Sequence, residues 1–341
     1  MKIYHLSHTD LDGYGAQYIT NFYFKDVKFL NSNYGREIDD KFAQILDEID
    51  ASNDDKNVIL ITDLNLTPAQ CESFEEMIEG KNIKLFLLDH HQSGAECASA
   101  YSWYFLDSSR CATKITYDFF AGIFGKNKEL EIFSDVVNAV DIWLKDDKNF
   151  EMGKVCLGLV ANAKEINKVM FEAENNLYMD HILKEASKFF NEKNDYIGLD
   201  MQVHAIKKSF FKEDKDDTLS NLISNYVVKK LSENKEKFSI SYKDHKGILT
   251  YNIGNVSVIG NDFLVANPEF DFFIDVTNKK TLSFRANGKL DVSAMAKHLV
   301  GGGGHVNASG GLFANFKDGF SYEPIKAQIV DLITKKTQEE I

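Results

Sequence analysis

Acidic and imidazole side chains recur directly after short apolar segments in the first half of the sequence. If these segments are parallel strands, their carboxyl ends meet at one edge of a sheet, where open α/β folds bind ligands. The pattern therefore predicts that four separate segments build one site. The four segments are HTDLDG with His8, Asp10 and Asp12, NVILIT followed by Asp63, IKLFLL followed by Asp89, His90 and His91, and NAVDIW with Asp141.

Such a concentration of carboxylates is costly unless cations neutralise it. His8, Asp10 and Asp12 are spaced by two residues, so in an extended chain their side chains project to the same side. A pair of divalent ions about 3.5–4 Å apart would neutralise the site and form a two-metal hydrolytic centre. Mixed imidazole and carboxylate ligands suit Mn²⁺, Fe²⁺, Co²⁺ or Zn²⁺ better than Ca²⁺ or Mg²⁺.

Each of these residues also has an ordinary structural interpretation. Asp63 alone could be the N-cap of a helix, because Asp is favoured at that position. A His-His pair such as His90-His91 is more often found at a surface or in a core than at a metal, and Asp141 alone could be any helix residue. The prediction of a site depends on their joint occurrence after successive strands.

The elements that would position these residues alternate between strand and helix. Residues 2–7, 57–62 and 83–88 have the apolar character of buried parallel strands. Residues 16–23 have helical spacing, and residues 67–79 begin with Thr-Pro, which suits a capped helix. This alternation predicts an α/β fold with an N-terminal doubly wound, mainly parallel sheet.

The rest of the chain predicts a helical stretch and a second, smaller α/β domain. Residues 133–231 are helical in character, with one helix expected over 174–192. After residue 237 the pattern returns to strands, then a helix over 292–299 and a glycine run. The predicted strands are FSISY, GILTYNI, VSVIG, FDFFIDV and TLSFRA.

Composition limits the class of ligand. The 341 residues and 44% hydrophobic content suit two domains. A formal net charge of −13 argues against binding along a nucleic-acid duplex, so we expect any nucleic-acid ligand to be short. The four cysteines have no metal-knuckle spacing, and the chain has neither a signal-peptide pattern nor a membrane-spanning run. We therefore expect a cytoplasmic protein with reduced thiols.

The motif set resembles that of a known family. HTDLDG, ITDLN, LLDHHQS and AVDIW are similar to the four motifs of DHH phosphoesterases, and GGGGHVNASG resembles the signature of the accompanying DHHA1 domain. Relatives in that family include RecJ exonucleases, nanoRNases and phosphodiesterases of cyclic di-AMP, and the compact HTDLDG form most resembles the oligoribonuclease NrnB branch. Together the motifs span residues 8–311.

The resemblance implies roles for the predicted site residues. One metal would be held by His8, Asp10 and Asp63, and a second by Asp12, Asp63, His90 and Asp141, with Mn²⁺ the expected ion. Asp63 would bridge the two ions. Asp89 would fix the tautomer of a neighbouring histidine, and His91 would lie close to the substrate phosphate. The catalytic set is then Asp63, Asp89 and His91.

The C-terminal motif implies a grip on the substrate. Consecutive glycines, Gly302, Gly303 and Gly304, allow backbone N–H groups to approach a phosphate, although a flexible loop is the alternative. His305 and Ser309 would add donors. Arg285 would clamp a terminal phosphate or a base edge, although a surface ion pair would also explain an arginine there.

The resemblance also implies how the chain is divided and what it acts on. We expect a catalytic domain over 1–185, a helical connection over 186–235 and a substrate-binding domain over 236–341, with a cleft between the domains. The implied activity is hydrolysis of nanoRNA, pApA-like dinucleotides or 3′-phosphoadenosine 5′-phosphate to mononucleotides. The expected partners are these substrates, with no long duplex and no membrane, for a monomer or homodimer.

Three alternatives remain open at this point. A cyclic di-AMP phosphodiesterase would use the same cleft. A family II pyrophosphatase or polyphosphatase would share the metal half, yet it should lack GGGGH. A catalytically silent nucleotide sensor would be expected to have lost ligands, whereas every expected ligand type is present here.

Overall fold

The computed structural model describes residues 1–52, 56–190 and 195–339. The chain forms two compact units, one of Met1–Ala163 with Asn176–Ile206, the other of Lys164–Asn175 with Lys207–Ile341. The predicted connection over 186–235 is thus shared between the two units. Among the described residues, none of the helices is both long and apolar enough to cross a membrane.

The first unit alternates strands and helices, as predicted. Its elements are β1 (Lys2–Ser7), α1 (Leu11–Tyr23), β2 (Val27–Asn31), α2 (Arg36–Ala51), β3 (Asn57–Thr62), α3 (Pro68–Ile78), β4 (Ile83–Asp89), a 3-10 turn (Gln92–Gly94), α4 (Ala95–Ala100), β5 (Tyr104–Leu106), α5 (Ala112–Phe124), α6 (Lys128–Asp141) and α7 (Phe150–Ala161). Two further helices, α8 (Glu172–Ser187) and α9 (Tyr196–Phe211), each contribute residues to both units. The helix predicted over 174–192 is α8, which ends at Ser187, so the predicted end is wrong for residues 188–190, while residues 191 and 192 lie outside the described residues.

The five strands form one parallel sheet in the order β2-β1-β3-β4-β5. From β1 the chain moves to β2 on one side and then to β3 on the other, so the strand order reverses between β1 and β3. Ligands of open α/β sheets bind outside the carboxyl ends of the strands at such a switch point. The predicted α/β fold class is confirmed. His8, Asp63 and His90 directly follow β1, β3 and β4, whereas Asp141 is the last residue of α6.

Local sequence explains where the helices begin and how they pack. Thr67 is the N-cap of α3 and forms a capping box with Gln70, and Pro68 occupies the first helical position. On one face of the sheet the rings of Phe42 in α2 and Phe74 in α3 stack at 3.7 Å between centroids. Both rings belong to a buried cluster with β1, β3 and β4, which fixes this face.

The second unit contains a six-stranded mixed sheet in the order β10-β11-β9-β8-β7-β6. Only β7 and β8 pair in parallel; the other neighbouring strands of this sheet run antiparallel. The described elements are α10 (Leu219–Glu233), α11 (Lys235–Phe238), β6 (Ser239–Tyr242), β7 (His245–Tyr251), α12 (Val256–Ala266), β8 (Phe272–Val276), β9 (Thr281–Ala286), α13 (Val292–Val300), β10 (Gly303–His305), β11 (Ala308–Leu312) and α14 (Tyr322–Gln338).

One predicted strand of this unit is wrong. The segment VSVIG forms the first part of helix α12. The buried residues of the whole helix α12 are Ile259, Gly260, Phe263 and Leu264. This helical spacing becomes visible only over a window longer than five residues. Parallel neighbours such as β7 and β8 need a crossover connection, and α12 provides it.

The glycine run forms a hairpin in which β10 pairs with β11. A side chain at Gly302 would place its Cβ 2.2 Å from the Gly310 carbonyl oxygen, and one at Gly304 would lie 2.6 Å from the Ala308 carbonyl oxygen. These glycines are therefore required for the close approach of the two strands.

Candidate functional site

The HTDLDG motif forms the turn from β1 into α1. Asp10 is the N-cap of α1, and its Oδ1 accepts a hydrogen bond from the Gly13 backbone N–H at 3.0 Å. Its Oδ2 lies 2.8 Å from His8 Nδ1. Asp12 lies within the first turn of the helix, so the three side chains do not project from one extended segment, as the spacing of two had suggested. Gly13 permits the tight turn, because a Cβ there would lie 2.3 Å from the His8 carbonyl oxygen.

Asp12 is anchored by the N-terminus of α5. Its Oδ2 and Oδ1 accept hydrogen bonds from the backbone N–H groups of Ala112 and Thr113, both at 2.7 Å. The first turn of a helix carries unpaired donors and a partial positive charge, which favours a carboxylate. This contact explains how a buried Asp12 is tolerated, and it links α1 to α5 across 100 residues of sequence.

Asp63 lies at the centre of the site. It directly follows β3 with a left-handed backbone, φ 55°, which Asp tolerates better than most residues. The helix after it begins at Pro68 with Thr67 as its cap, so Asp63 is not the cap of α3. Its Oδ2 lies 3.7 Å from His8 Nδ1, and its Oδ1 lies 3.3 Å from His90 Nε2. Within the described residues the buried Oδ2 atom has no hydrogen-bond partner.

His90 brings the second set of predicted ligands together. Its Nε2 lies 3.3 Å from Asp63 Oδ1, 3.6 Å from Asp141 Oδ2 and 3.7 Å from Asp12 Oδ2. Asp141 is the last residue of α6. Four segments of the chain therefore converge at this edge of the sheet.

The charges of this cluster are poorly balanced by its own side chains. Burial and the Asp12 carboxylate raise the pKa of Asp63 well above its usual range and that of Asp141 to about 9. Burial lowers the pKa of His8, but Asp10 and Asp63 outweigh it and raise that pKa to about 10. Burial also opposes ionisation of Asp10, but the hydrogen bond with His8 lowers its pKa to about 2.

The donor set fits a divalent cation. His8, Asp10 and Asp63 offer one ligand atom each, all within 4.8 Å of one another, and so do Asp63, His90 and His91. The unpartnered Asp63 oxygen and the mixed nitrogen and oxygen donors are what a transition-metal site requires. Cys111 forms a third such group with Asp12 and Asp141, but its thiol is buried and burial raises its pKa.

A chain of hydrogen bonds leads away from His91. Its Nδ1 lies 2.7 Å from Asp89 Oδ1, and the Tyr104 hydroxyl donates to Asp89 Oδ2 at 2.9 Å. On the other side, His91 Nε2 lies 3.0 Å from the hydroxyl of Tyr34, whose ring is 4.7 Å from that of His8. Asp89 is fully buried, so this arrangement fixes the orientation of the His91 ring.

Tyr34 is a site residue that the sequence did not predict, because β2 was not predicted as a strand. Tyr34 lies three residues after β2, so it belongs with the other side chains that follow strand ends. The segment VKFLN contains a lysine and an asparagine within five residues, which interrupts the apolar run used to recognise a strand. Had β2 been predicted, its carboxyl end would have pointed to Tyr34.

Trp143 lies two residues after the end of helix α6 and has an unusual backbone conformation. The Leu144 N–H donates to the Ala139 carbonyl at 2.8 Å and the Trp143 N–H to the Val140 carbonyl at 3.3 Å, the pattern of a Schellman motif. Trp143 occupies the left-handed position of this motif, φ 59°, where glycine is usual. A bulky residue there costs about 1–2 kcal/mol.

The predicted substrate-binding residues lie in the second unit. The Arg285 guanidinium donates to the Phe284 carbonyl at 2.8 Å and to Ser257 Oγ at 2.7 Å, and among the described residues it forms no ion pair. His305 lies exposed on β10. Ser309 is buried, and its hydroxyl donates to the Val292 carbonyl, which ties the hairpin to the start of α13.

Comparison with known proteins places these observations in context. No family model matches the chain. A Helicobacter pylori protein named 3′,5′-cyclic-nucleotide phosphodiesterase is 41% identical over 343 residues, covering 97% of this chain and 99% of the relative. The crystal structure of an uncharacterized protein from Helicobacter pylori G27 superposes with a TM-score of 0.87 and 40% identity, covering 98% of this chain and 99% of that chain. RecJ from Thermus thermophilus, in complex with Mn²⁺, has a TM-score of 0.31 and 12% identity over 98% of this chain and 52% of that chain, too weak for any conclusion.

Proposed function

Because this chain belongs to the family of the Helicobacter pylori 3′,5′-cyclic-nucleotide phosphodiesterase and carries motifs similar to those of DHH phosphoesterases, we propose that it hydrolyses phosphodiester bonds of small nucleotides with two divalent metal ions. The observation that carries this proposal is the position of Asp63, whose two carboxylate oxygens face His8 and His90 separately. A carboxylate placed in this way can bridge two ions.

We propose two ligand sets, which the contacts support. His8, Asp10 and Asp63 would hold one ion, and Asp12, Asp63, His90 and Asp141 would hold the other. Mn²⁺ suits this mixture of imidazole and carboxylate donors. When bound, such a pair lowers the pKa of a water molecule and stabilises negative charge on phosphate oxygens.

The protein's own contribution is to fix these ligands and to place His91 and Tyr34 beside the phosphate. The N-terminus of α5 holds Asp12, and the N-cap contact holds Asp10. Asp89 accepts from the Tyr104 hydroxyl and from Nδ1–H of His91, so Nε2 of a neutral His91 accepts from the Tyr34 hydroxyl. His91 and Tyr34 are then the groups that would contact the reacting phosphate or its leaving oxygen.

We also propose substrate-binding roles for residues of the second unit. Arg285 has no acidic partner among the described residues, so its charge is free for a phosphate or a base edge. The hairpin of Gly302, Gly303 and Gly304 with His305 offers exposed backbone and imidazole donors. Ser309 would support this hairpin, since its hydroxyl is already donated to Val292.

The candidate substrates fall into two classes, short linear nucleotides and cyclic nucleotides. Short linear substrates, namely nanoRNA, pApA-like dinucleotides and 3′-phosphoadenosine 5′-phosphate, suit an acidic protein that cannot follow a long polyanion. A 3′,5′-cyclic nucleotide is favoured by the name of the Helicobacter pylori relative. Cyclic di-AMP offers the same phosphodiester chemistry in a cyclic dinucleotide.

The test is a substrate panel with the Mn²⁺-loaded protein. We would compare hydrolysis of 5′-labelled RNA and DNA of two to about ten nucleotides with that of 3′,5′-cyclic AMP, cyclic di-AMP and 3′-phosphoadenosine 5′-phosphate. The proposal expects metal-dependent release of mononucleotides from at least one short or cyclic substrate. No turnover of any of them would support the nucleotide-sensor alternative instead.

Removing the Tyr34 hydroxyl tests the role of the hydrogen bonds through His91. We expect Tyr34→Phe to lower kcat about 10-fold or more with little change in KM, because partners outside the ligand sphere typically contribute 10- to 100-fold. The ring that packs on His8 is retained, so metal affinity should change little. Tyr196→Phe, at an exposed position in α9, is the matched control and should keep wild-type kinetics. A Tyr34→Phe enzyme with unchanged kcat would show that the hydroxyl has no role in turnover.

A further inference from the structure

Trp143 combines a left-handed backbone with an exposed aromatic side chain. It holds the left-handed position of the α6 Schellman motif, where glycine or asparagine would be free of strain. Its side chain is 54% exposed, and its ring contacts Phe150 edge-on with 5.1 Å between centroids. Backbone strain of this kind concentrates at functional sites.

The position of Trp143 relates it to the metal ligands. Asp141, two residues earlier, closes α6, and its Oδ2 lies 3.6 Å from His90 Nε2. Cα atoms two residues apart are at most about 7 Å apart, so the indole begins within one nucleotide's length of the ligand cluster. The Schellman hydrogen bonds fix the backbone of Trp143 relative to Asp141, so the Cα from which the indole projects has a defined distance from the cluster.

We infer that Trp143 is a stacking platform for a nucleobase of the substrate. This inference rests on the proposed function and extends it, because it assigns the base-binding part of the site. Every purine and pyrimidine has a π-face, and stacking on an aromatic side chain adds affinity with little demand on base identity. The platform would select nucleotides over phosphodiesters that lack a base, while leaving the choice of base to other contacts.

The chain provides its own spectroscopic probe for this inference. Its two tryptophans are Trp103 and Trp143, and Trp103 donates through Nε1 to Glu75 beside Tyr101. A Trp103→Phe variant therefore reports on Trp143 alone. We would titrate it with AMP and with ribose 5-phosphate at one fixed metal concentration, and measure binding of each by calorimetry. A saturable change of Trp143 fluorescence with AMP and none with ribose 5-phosphate is the expected result.

A second variant separates binding from stability. Asparagine tolerates the left-handed position, so Trp143→Asn should unfold at a temperature equal to or above that of the wild type. Its KM for nucleotide substrates should rise between about 5-fold and about 150-fold, while kcat and inhibition by ribose 5-phosphate stay unchanged. Trp103→Phe serves as the control and should leave KM unchanged.

The outcomes distinguish this inference from the function on which it rests. If AMP binds by calorimetry and Trp143 fluorescence does not respond, or if Trp143→Asn hydrolyses nucleotides with wild-type KM, the platform is refuted and the phosphodiesterase stands. If the intact protein neither binds AMP nor hydrolyses any substrate of the panel, the proposed function fails, and the platform fails with it.

Discussion

Replacing Asp63 with alanine is expected to reduce phosphodiester hydrolysis more than about 100-fold, which exceeds the usual effect of losing a group outside the ligand sphere. The side chain faces His8 with one oxygen and His90 with the other, so its loss would affect both proposed ligand sets at once. We would measure turnover of the best substrate from the panel and Mn²⁺ binding by calorimetry. Both should be lost together.

The same variant should fold normally. Asp63 is buried, and its Oδ2 has no hydrogen-bond partner among the described residues, so replacing it removes the cost of burying a carboxyl group beside Asp12. The thermal midpoint of the metal-free variant is therefore expected to be no lower than that of the metal-free wild type. The matched control is Asp135→Ala in α6, whose carboxylate pairs with Lys114 and contacts none of the proposed ligands among the described residues. An Asp63→Ala protein that retains hydrolysis would rule out the two-metal assignment.

The metal-free protein is expected to lose stability as pH rises from 7 to 9, while the metal-loaded protein changes much less. Burial and the Asp12 carboxylate raise the folded pKa of Asp141 from 3.8 to about 9, so at pH 7 folding takes up a proton that the unfolded chain does not hold. The stabilisation is complete below the unfolded pKa and is lost as pH rises through the folded pKa. Each such proton contributes a slope of up to about 1.4 kcal/mol per pH unit.

The other titrating groups of the centre act in the same direction over this window. The folded pKa of Asp63 is also raised by burial and Asp12, and that of His8 is raised to about 10 by Asp10 and Asp63 against the opposing effect of burial. His5 acts oppositely, since burial lowers its pKa to about 3, but its effect is confined to pH values below about 6.5.

Thermal unfolding of the protein in EDTA and in Mn²⁺ at each half pH unit would measure this difference. The stabilisation by Mn²⁺ should grow with pH, because the ion replaces bound protons. Asp141→Asn should flatten the metal-free curve, whereas Asp135→Asn should leave its slope unchanged. Parallel curves with and without metal across pH 7 to 9 would contradict the role assigned to these carboxylates.

Local patterns predicted the part of the site that depends on strand ends. The bounds of β1 and β3 are those that the apolar runs indicate, and β4 differs by one residue. Because parallel strands end at a common edge, the convergence of Asp63 and His90 could be predicted from the sequence. The assignment of the two ligand sets and of the substrate-binding residues remains a proposal.

Other features depend on contacts that no local pattern contains. The anchor of Asp12 is a helix N-terminus 100 residues away, and α5 carries no motif that would reveal it. VSVIG looks like a strand in isolation, and its helical periodicity emerges only together with Phe263 and Leu264. Trp143 belongs to the motif AVDIW, but its strained backbone could not be predicted, because it results from the hydrogen bonds at the end of α6.

The contact between Asp12 and α5 has a consequence for how the protein matures. During synthesis the ribosome releases His8, Asp10, Asp12 and Asp63 long before the backbone donors of Ala112 and Thr113 have emerged. Until then Asp12 lacks the peptide groups that compensate its burial, and the last proposed acidic ligand, Asp141, has not yet emerged. We therefore expect the protein to bind metal ions with high affinity only after α5 and α6 have folded against the N-terminal segments.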